Sequence, residues 1–294
     1  MTLISRREFL AGLAAGGAGV LLGARAGSTP SDHAPHIQKY NELGRTGLKV
    51  SDIIFGAGAL QEPGVVRYAF DRGITGFDTA AGYSGMVSEE HIGMGLKGVR
   101  DRAVIITKQG FSRHNPFDRA TVVKTLEESL RKLQTDYVDG LFIHSINVLD
   151  QLNNEDLLDT FLQFKRDGKV RFTGFSTHEE KVTLAGCVKP EYEEFVDAVM
   201  FRYNHVESEA IEPLIATMRK KGIGTIAMKT LMGKKPEALE PYANDDMSYP
   251  QACIAWVLSN PYIDCAALSM ESFELVDSFV SVSGRRFDRS TPSG

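Results

Sequence analysis

The sequence has one tryptophan, three cysteines and, beyond its first 26 residues, no long apolar run. The cysteines, Cys187, Cys253 and Cys265, have no CxxC spacing, which excludes iron-sulfur and zinc-ribbon modules. Their apolar or helical surroundings read as buried small hydrophobes, and one disulfide, Cys253 to Cys265, stays open in an oxidising compartment. Positive charge is also scarce. Lys and Arg number 33 against 38 Asp and Glu, a net charge of -5, which argues against nucleic acid or an anionic membrane as the main partner. A third glycine is missing from FGAGAL, so the GxGxxG of a doubly wound nucleotide fold is absent.

The apolar run that does exist is N-terminal. Ser5-Arg6-Arg7-Glu8-Phe9-Leu10 is followed by an apolar stretch from Ala11 to Ala24 and then by Ala24-Arg25-Ala26, the order of a secretory signal with a small-residue cleavage site. The paired arginines make it twin-arginine in type. Gly12, Gly16, Gly17 and Gly19 interrupt the run, and a membrane span needs about 20 strongly apolar residues, so no stable membrane insertion is expected. Residues 1–26 therefore read as a leader for the twin-arginine translocation machinery, which exports proteins already folded, to the periplasm or the extracellular space. Residues 27–38, rich in Ser, Pro, Gly and His, read as a linker, and 39–294 as one folded domain.

Within that domain YNELGRTGLKVSD reads as a short β-hairpin. Short β-branched runs then alternate with amphipathic helices: IIFGAG (53–58), ITGFD (74–78), AVIITK (103–108), VDGLFIH (138–144), VRFTGFS (170–176), DAVMFRYN (197–204), GTIAMK (224–229) and DCAALS (264–269) each precede a segment of helical spacing. Eight strand-helix units predict an α/β fold, a (β/α)8 TIM barrel behind an N-terminal hairpin.

Barrel enzymes carry their chemistry where strands run into the following loops. Those positions hold Asp78, Tyr83 in the loop beyond it, Lys108, His144, Ser176, Asn204, Lys229 and Ser269. Asp78 and Lys108 terminate apolar runs on adjacent strands, where opposite charges should find each other, because an unpaired buried charge is expensive. Lys108 should then make the Tyr83 phenol more acidic, with Asp78 holding the ammonium in place and His144 donating to a substrate carbonyl. The plainer reading of His144 is a satisfied core histidine; that of Ser269 and Asn204 is a solvated loop residue.

In order, LGRTGLKVSDIIFGAG, GFDTAAGYSGMVSEEHIG, VIITKQG, DYVDGLFIH and VRFTGFSTHEE resemble the aldo-keto reductases over residues 39–283. The resemblance implies an NAD(P)-dependent oxidoreductase that reduces an aldehyde or ketone to an alcohol, or the reverse, with Tyr83 as general acid, Lys108 and Asp78 tuning it and His144 positioning the carbonyl. It also implies a nicotinamide dinucleotide, NADP or NAD, across the carboxyl rim, with Ser176 and Thr177 at the carboxamide position and Met228, Lys229, Leu231, Ser269 and Glu271 along the cofactor.

The departures gather on the cofactor side. Thr177 stands where the family has asparagine, Met200 where it has glutamine, and Met228 where it has an aromatic ring. Glu271 would repel a 2′-phosphate and can accept from a free ribose hydroxyl, which tilts the reading toward NAD. Lys234 is a further candidate for the pyrophosphate, and Phe111, His114, Phe117 and Tyr203 are aromatic candidates for the substrate pocket. Two other readings stay open: an exported barrel that binds a ligand or partner without redox turnover, and an isomerase or lyase using Tyr83 and His144 for proton transfer.

Overall fold

The computed structural model describes residues 34–111, 117–206, 208, 210–232, 239, 243 and 246–287, and the described residues from Pro35 onward belong to one compact unit. The leader, His114 and Lys234 lie outside the described residues. Ile37 and Gln38, at the end of the expected linker, are already tied to the body. The Ile37 amide donates to the Arg72 carbonyl at 2.9 Å, and the Gln38 amide donates to Ser283 Oγ at 2.8 Å.

Strands β1 (Tyr40–Glu42) and β2 (Lys49–Ser51) pair antiparallel as the expected hairpin. Eight parallel strands then close a barrel: β3 (Ile53–Gly56), β4 (Gly76–Asp78), β5 (Val104–Gly110), β6 (Val138–Ile146), β7 (Val170–Thr177), β8 (Ala198–Arg202), β9 (Gly224–Met228) and β10 (Cys265–Ser269), with β10 pairing back onto β3. The connecting helices are α1 (Pro63–Asp71), α2 (Ser88–Gly95), α3 (Arg119–Leu133), α4 (Glu155–Arg166), α5 (Glu180–Cys187), α6 (Glu212–Lys220), α7 (Tyr249–Leu258) and α8 (Phe273–Val280). Among the described residues no helix is long and apolar enough to cross a membrane, and no His, Cys, Asp or Glu cluster could hold a metal ion.

Side-chain alternation along the strands sorts the barrel. Ile54, Val104, Ile106, Phe142, Phe172, Ala198, Met200, Ile226 and Cys265 fill the interior as one buried cluster. Leu43, Leu48 and Val50 of the hairpin join that cluster and close the barrel's N-terminal end. The cysteines are buried and unpaired, Cys265 inside the barrel.

The helices form for equally local reasons. In α3 the buried residues Val122, Leu126, Ser129, Leu130 and Leu133 recur at three- and four-residue spacing, which turns one stripe to the sheet. Asp118 caps its start by accepting from the Thr121 amide at 2.8 Å.

The hairpin's seat on the barrel depends on Gly44. Its φ is +50°, and a Cβ there would lie 2.2 Å from the Gly224 amide nitrogen and 2.5 Å from the Gly222 carbonyl oxygen. Its own amide donates to Asp264 Oδ2 at 3.1 Å. Backbone on both sides leaves no flexible atom to yield. Gly44→Ala should therefore lower stability by about 1–3 kcal/mol, read as a lower urea midpoint with an unchanged slope.

Candidate active site

Strand parity brings Asp78, Lys108 and His144 to the C-terminal mouth from three neighbouring strands. In β5, Val104 and Ile106 point into the barrel core, so the next residue of that parity is Lys108. Lys108 is 1% exposed and Asp78 is 5% exposed. Lys108 Nζ donates to Asp78 Oδ1, to the Thr79 carbonyl at 2.9 Å and to the Tyr83 hydroxyl at 3.3 Å. All three donors of the ammonium are used, which is how a buried lysine keeps its charge.

Burial works against that charge, but Asp78 and Tyr83 beside it more than compensate, and Lys108 stays above the ordinary lysine range. Burial likewise pushes the Asp78 carboxyl up against the pull of Lys108.

Tyr83 arrives by a tightly coiled loop. Its amide donates to the Ala80 carbonyl at 3.0 Å, and the next three residues, Ser84, Gly85 and Met86, have φ of 50°, 67° and 76°. Ser88 Oγ ties this loop back to the Ala57 carbonyl at 3.1 Å and meets Thr79 Oγ1 at 2.8 Å. Glu89 then accepts from Thr107 Oγ1 at 2.6 Å, which fixes α2 to the residue before Lys108.

One electrostatic expectation needs correcting. The Tyr83 phenol lies above its ordinary value, not below it, because burial outweighs the favourable pull of Lys108 and Asp78 adds to the rise. The loop that folds the phenol over the mouth also removes it from water. Tyr83 is consequently protonated at neutral pH, with an ammonium beside it that offsets the charge appearing when the proton leaves.

His144 stands edge-on to Tyr83, ring centroids 5.6 Å apart at 76°. Strand parity turns it to the mouth, opposite Gly110 of β5, and a bulge follows directly. Between β6 and β7 the register runs Ile143 to Phe175 and then Ile146 to Thr177, so three residues are spanned opposite two. Ser145 takes up the difference with φ of 60°, and its amide donates to Ser176 Oγ at 2.9 Å. Burial first, then Lys108 and His178, lower the imidazole from 6.5 to about 4. It is neutral near pH 7, with one N–H to donate.

The cofactor-side expectations divide. Ser176 is 2% exposed and braces the bulge. Thr177 is a correction. It is fully buried, and its hydroxyl takes the Glu179 amide at 3.0 Å and the Thr183 hydroxyl at 3.0 Å, on the helix side of the strand. Met228 is partly buried against the barrel core and Met200 lies within it. Lys229 is exposed, with φ of 57°, at the end of β9; Leu231 and Glu271 are half-buried and Ser269 is exposed. Tyr203 is also corrected as a pocket residue: it is 1% exposed behind β8, with its hydroxyl on Glu212 at 2.7 Å and its ring 5.4 Å from Trp256. Asn204 accepts from the Val206 amide at 3.0 Å, a turn contact. Phe111 and Phe117 stack edge to face at 6.1 Å in the loop beyond Lys108.

Sequence reading missed Arg202, although parity with Ala198 and Met200 points to it. It pairs with buried Glu180 at 3.3 Å. It also missed the Ser145 bulge, for which the sequence carries no glycine signal. A nicotinamide dinucleotide fits this rim: Thr230, 2% exposed beside Lys229, has a hydroxyl with no partner among the described residues, suited to an anionic oxygen.

Residues 61–237 match the model of the aldo/keto reductase family. The chain is 32% identical over 236 residues to L-galactose dehydrogenase of Arabidopsis thaliana, covering 72% of this chain and 73% of that protein. It superposes on a Pseudomonas aeruginosa protein described as an aldo-keto reductase with a TM-score of 0.69 at 26% identity, over 85% of this chain and 96% of that one. An aldo/keto reductase from Klebsiella pneumoniae, in complex with NADP and acetate, shares the fold with a TM-score of 0.70 at 22% identity, over 85% and 91% of the two chains.

The depressed imidazole has a thermodynamic consequence. A group with folded value about 4 and ordinary value 6.5 is protonated more readily in the unfolded chain. Its stabilising effect is complete above pH 6.5 and is lost as pH falls through about 4. The His144 ring should titrate near 4 by NMR, and His144→Asn should flatten the rise of stability between those two pH values.

Proposed function

The chain belongs to the aldo/keto reductase family, and we propose from that membership and from the Asp78-Lys108-Tyr83 contact that Tyr83 delivers the proton in carbonyl reduction. The protein is an oxidoreductase. A bound nicotinamide dinucleotide supplies a hydride. The chain's own residues handle the proton and the carbonyl. A small aldehyde or ketone oxygen lies between the Tyr83 hydroxyl and the neutral His144 ring, a placement supported by the two rings standing side by side at 5.6 Å. His144 donates its N–H and orients the carbonyl. As negative charge develops on that oxygen Tyr83 releases its proton, and Lys108, fixed by Asp78 and Thr79, compensates the phenolate. In the reverse direction the same pair accepts the proton of an alcohol.

The single observation that carries this reading is the 3.3 Å contact of a fully committed ammonium with the phenol oxygen. Tyr83→Phe should lower turnover by about 10²–10⁴-fold while leaving the melting transition in place. Unchanged nicotinamide oxidation in that variant would remove Tyr83 from the mechanism. Proton transfer without any change in nicotinamide absorbance would favour the isomerase reading.

The proposal extends to compartment. Residues 1–26 act as a twin-arginine leader, the residues from 27 up to Ile37 as the tether, and the barrel is exported folded with its dinucleotide to the periplasm or outside the cell, engaging the translocation machinery on the way. The paired Arg6 and Arg7 ahead of the glycine-broken apolar run support this. Arg6→Lys combined with Arg7→Lys should hold the protein in the cytoplasm on fractionation; continued export would refute the leader assignment.

A further inference from the structure

We propose that the barrel carries a second small-molecule site at the end opposite the catalytic mouth, a cavity beneath Lys221 that takes a short-chain monocarboxylate. A cavity of about 80 Å³ opens there between the hairpin turn, the C-terminus of α5 and the turn from α6 into β9. Such a volume holds about five water-sized groups, the size of a carboxylate of about four carbons.

The floor of this cavity is apolar and uncharged. Cys187 and Ile223 are 1% and 3% exposed, with half-buried Val188 beside them. The Cys187 thiol donates to the Leu184 carbonyl at 3.3 Å, and burial pushes it up to about 12, so it stays neutral. The walls are fixed by the chain itself. The Arg45 amide donates to the Gly222 carbonyl at 2.6 Å, and its guanidinium donates to the carbonyls of Glu193 and, at 3.1 Å, Val196. Gly222 has φ of 73°, and a Cβ there would come within 3.3 Å of Arg45 Cβ, so the hairpin turn and the turn into β9 meet closely.

The rim leaves one positive charge over. Arg45 faces Glu193 at 3.9 Å and Asp197 at 3.7 Å, Asp197 also holds Lys165 at 2.7 Å, and Lys189 faces Glu191 at 3.8 Å. Lys221, on the same rim, has no ion pair or hydrogen bond to its ammonium among the described residues. The carbonyls that end α6 already have Arg219 and Lys220 in the last turn, so Lys221 is not needed to offset them. A spare cation above an apolar recess selects an anion with a short hydrocarbon tail. The carboxylate meets Lys221 at the rim, and the tail leaves water for Cys187, Val188 and Ile223. A dianion would put a second negative charge beside Glu193, and an alkylammonium would meet Lys221 itself.

Thermal melting of the purified full chain with butyrate, at constant ionic strength, tests the site. Butyrate should raise the midpoint saturably, by about 2 °C or more at saturation, and Lys221→Ala should abolish the rise. Acetate, which lacks two methylenes of the tail, should bind at least about tenfold more weakly. Butylammonium should give no rise. Absence of any shift with butyrate would overturn the proposal. A rise of the same size in the Lys221→Ala chain would place the ion elsewhere, the catalytic mouth included, and overturn it equally. Equal action of acetate and butyrate would overturn the role of the apolar floor, and a matching rise with butylammonium would overturn the choice of an anion.

Discussion

The rest of the mouth is organised around one buried contact, the ammonium of Lys108 held between Asp78 and Tyr83. Placing two opposite charges where one is 1% and the other 5% exposed costs several kcal/mol of desolvation per ion. An apolar pair of similar volume would be as stable or more so, so the pair is not explained by folding alone. What it supplies is a fixed positive charge beside a phenol. For that charge to stay fixed, β4 and β5 must keep their register and the Thr79 carbonyl must face inward. The loop to Tyr83 must also coil through three left-handed residues. The local strain is tolerated because Ser88 and Glu89 tie the loop and α2 to neighbouring strands.

The same burial sets the protonation states of Tyr83 and His144. It raises the phenol and lowers the imidazole. Both groups are then neutral donors near pH 7, and neither carries a charge that would compete with the one developing on the substrate. Lys108 has opposite effects on its two neighbours: it favours the phenolate of Tyr83 and disfavours the imidazolium of His144. A lysine exposed to water would do either only weakly, since water would screen it.

Much of this was legible because strands impose a two-residue period. Once AVIITK and VDGLFIH are aligned as barrel strands, inward parity delivers Lys108 and His144 to the mouth with no further information, and it would have delivered Arg202 as well. Parity also explains the errors at Thr177 and Tyr203. Each sits one residue past an inward position, so each faces the helices. What stayed illegible depends on backbone irregularity or on degree of burial. Ser145 adopts a left-handed conformation that nothing in its residue type announces, and the direction of the Tyr83 shift turns on how much water the loop excludes.

The bulge connects the two halves of the rim. Ser176 was read as a cofactor contact, yet its oxygen is already engaged by the Ser145 amide, which holds the chain just past His144. A hydroxyl that accepts one hydrogen bond keeps its own proton to give. Ser176 can therefore brace the chain just past His144 and still have a proton to give. Met200 is packed into the core, Met228 lies against it and Thr177 is turned to the helices, so none of these three offers a donor to the mouth. Under the proposed reaction, hydride and proton reach one carbonyl from different directions, and the Ser145–Ser176 contact ties the strand end beside His144 to the strand end on the cofactor side.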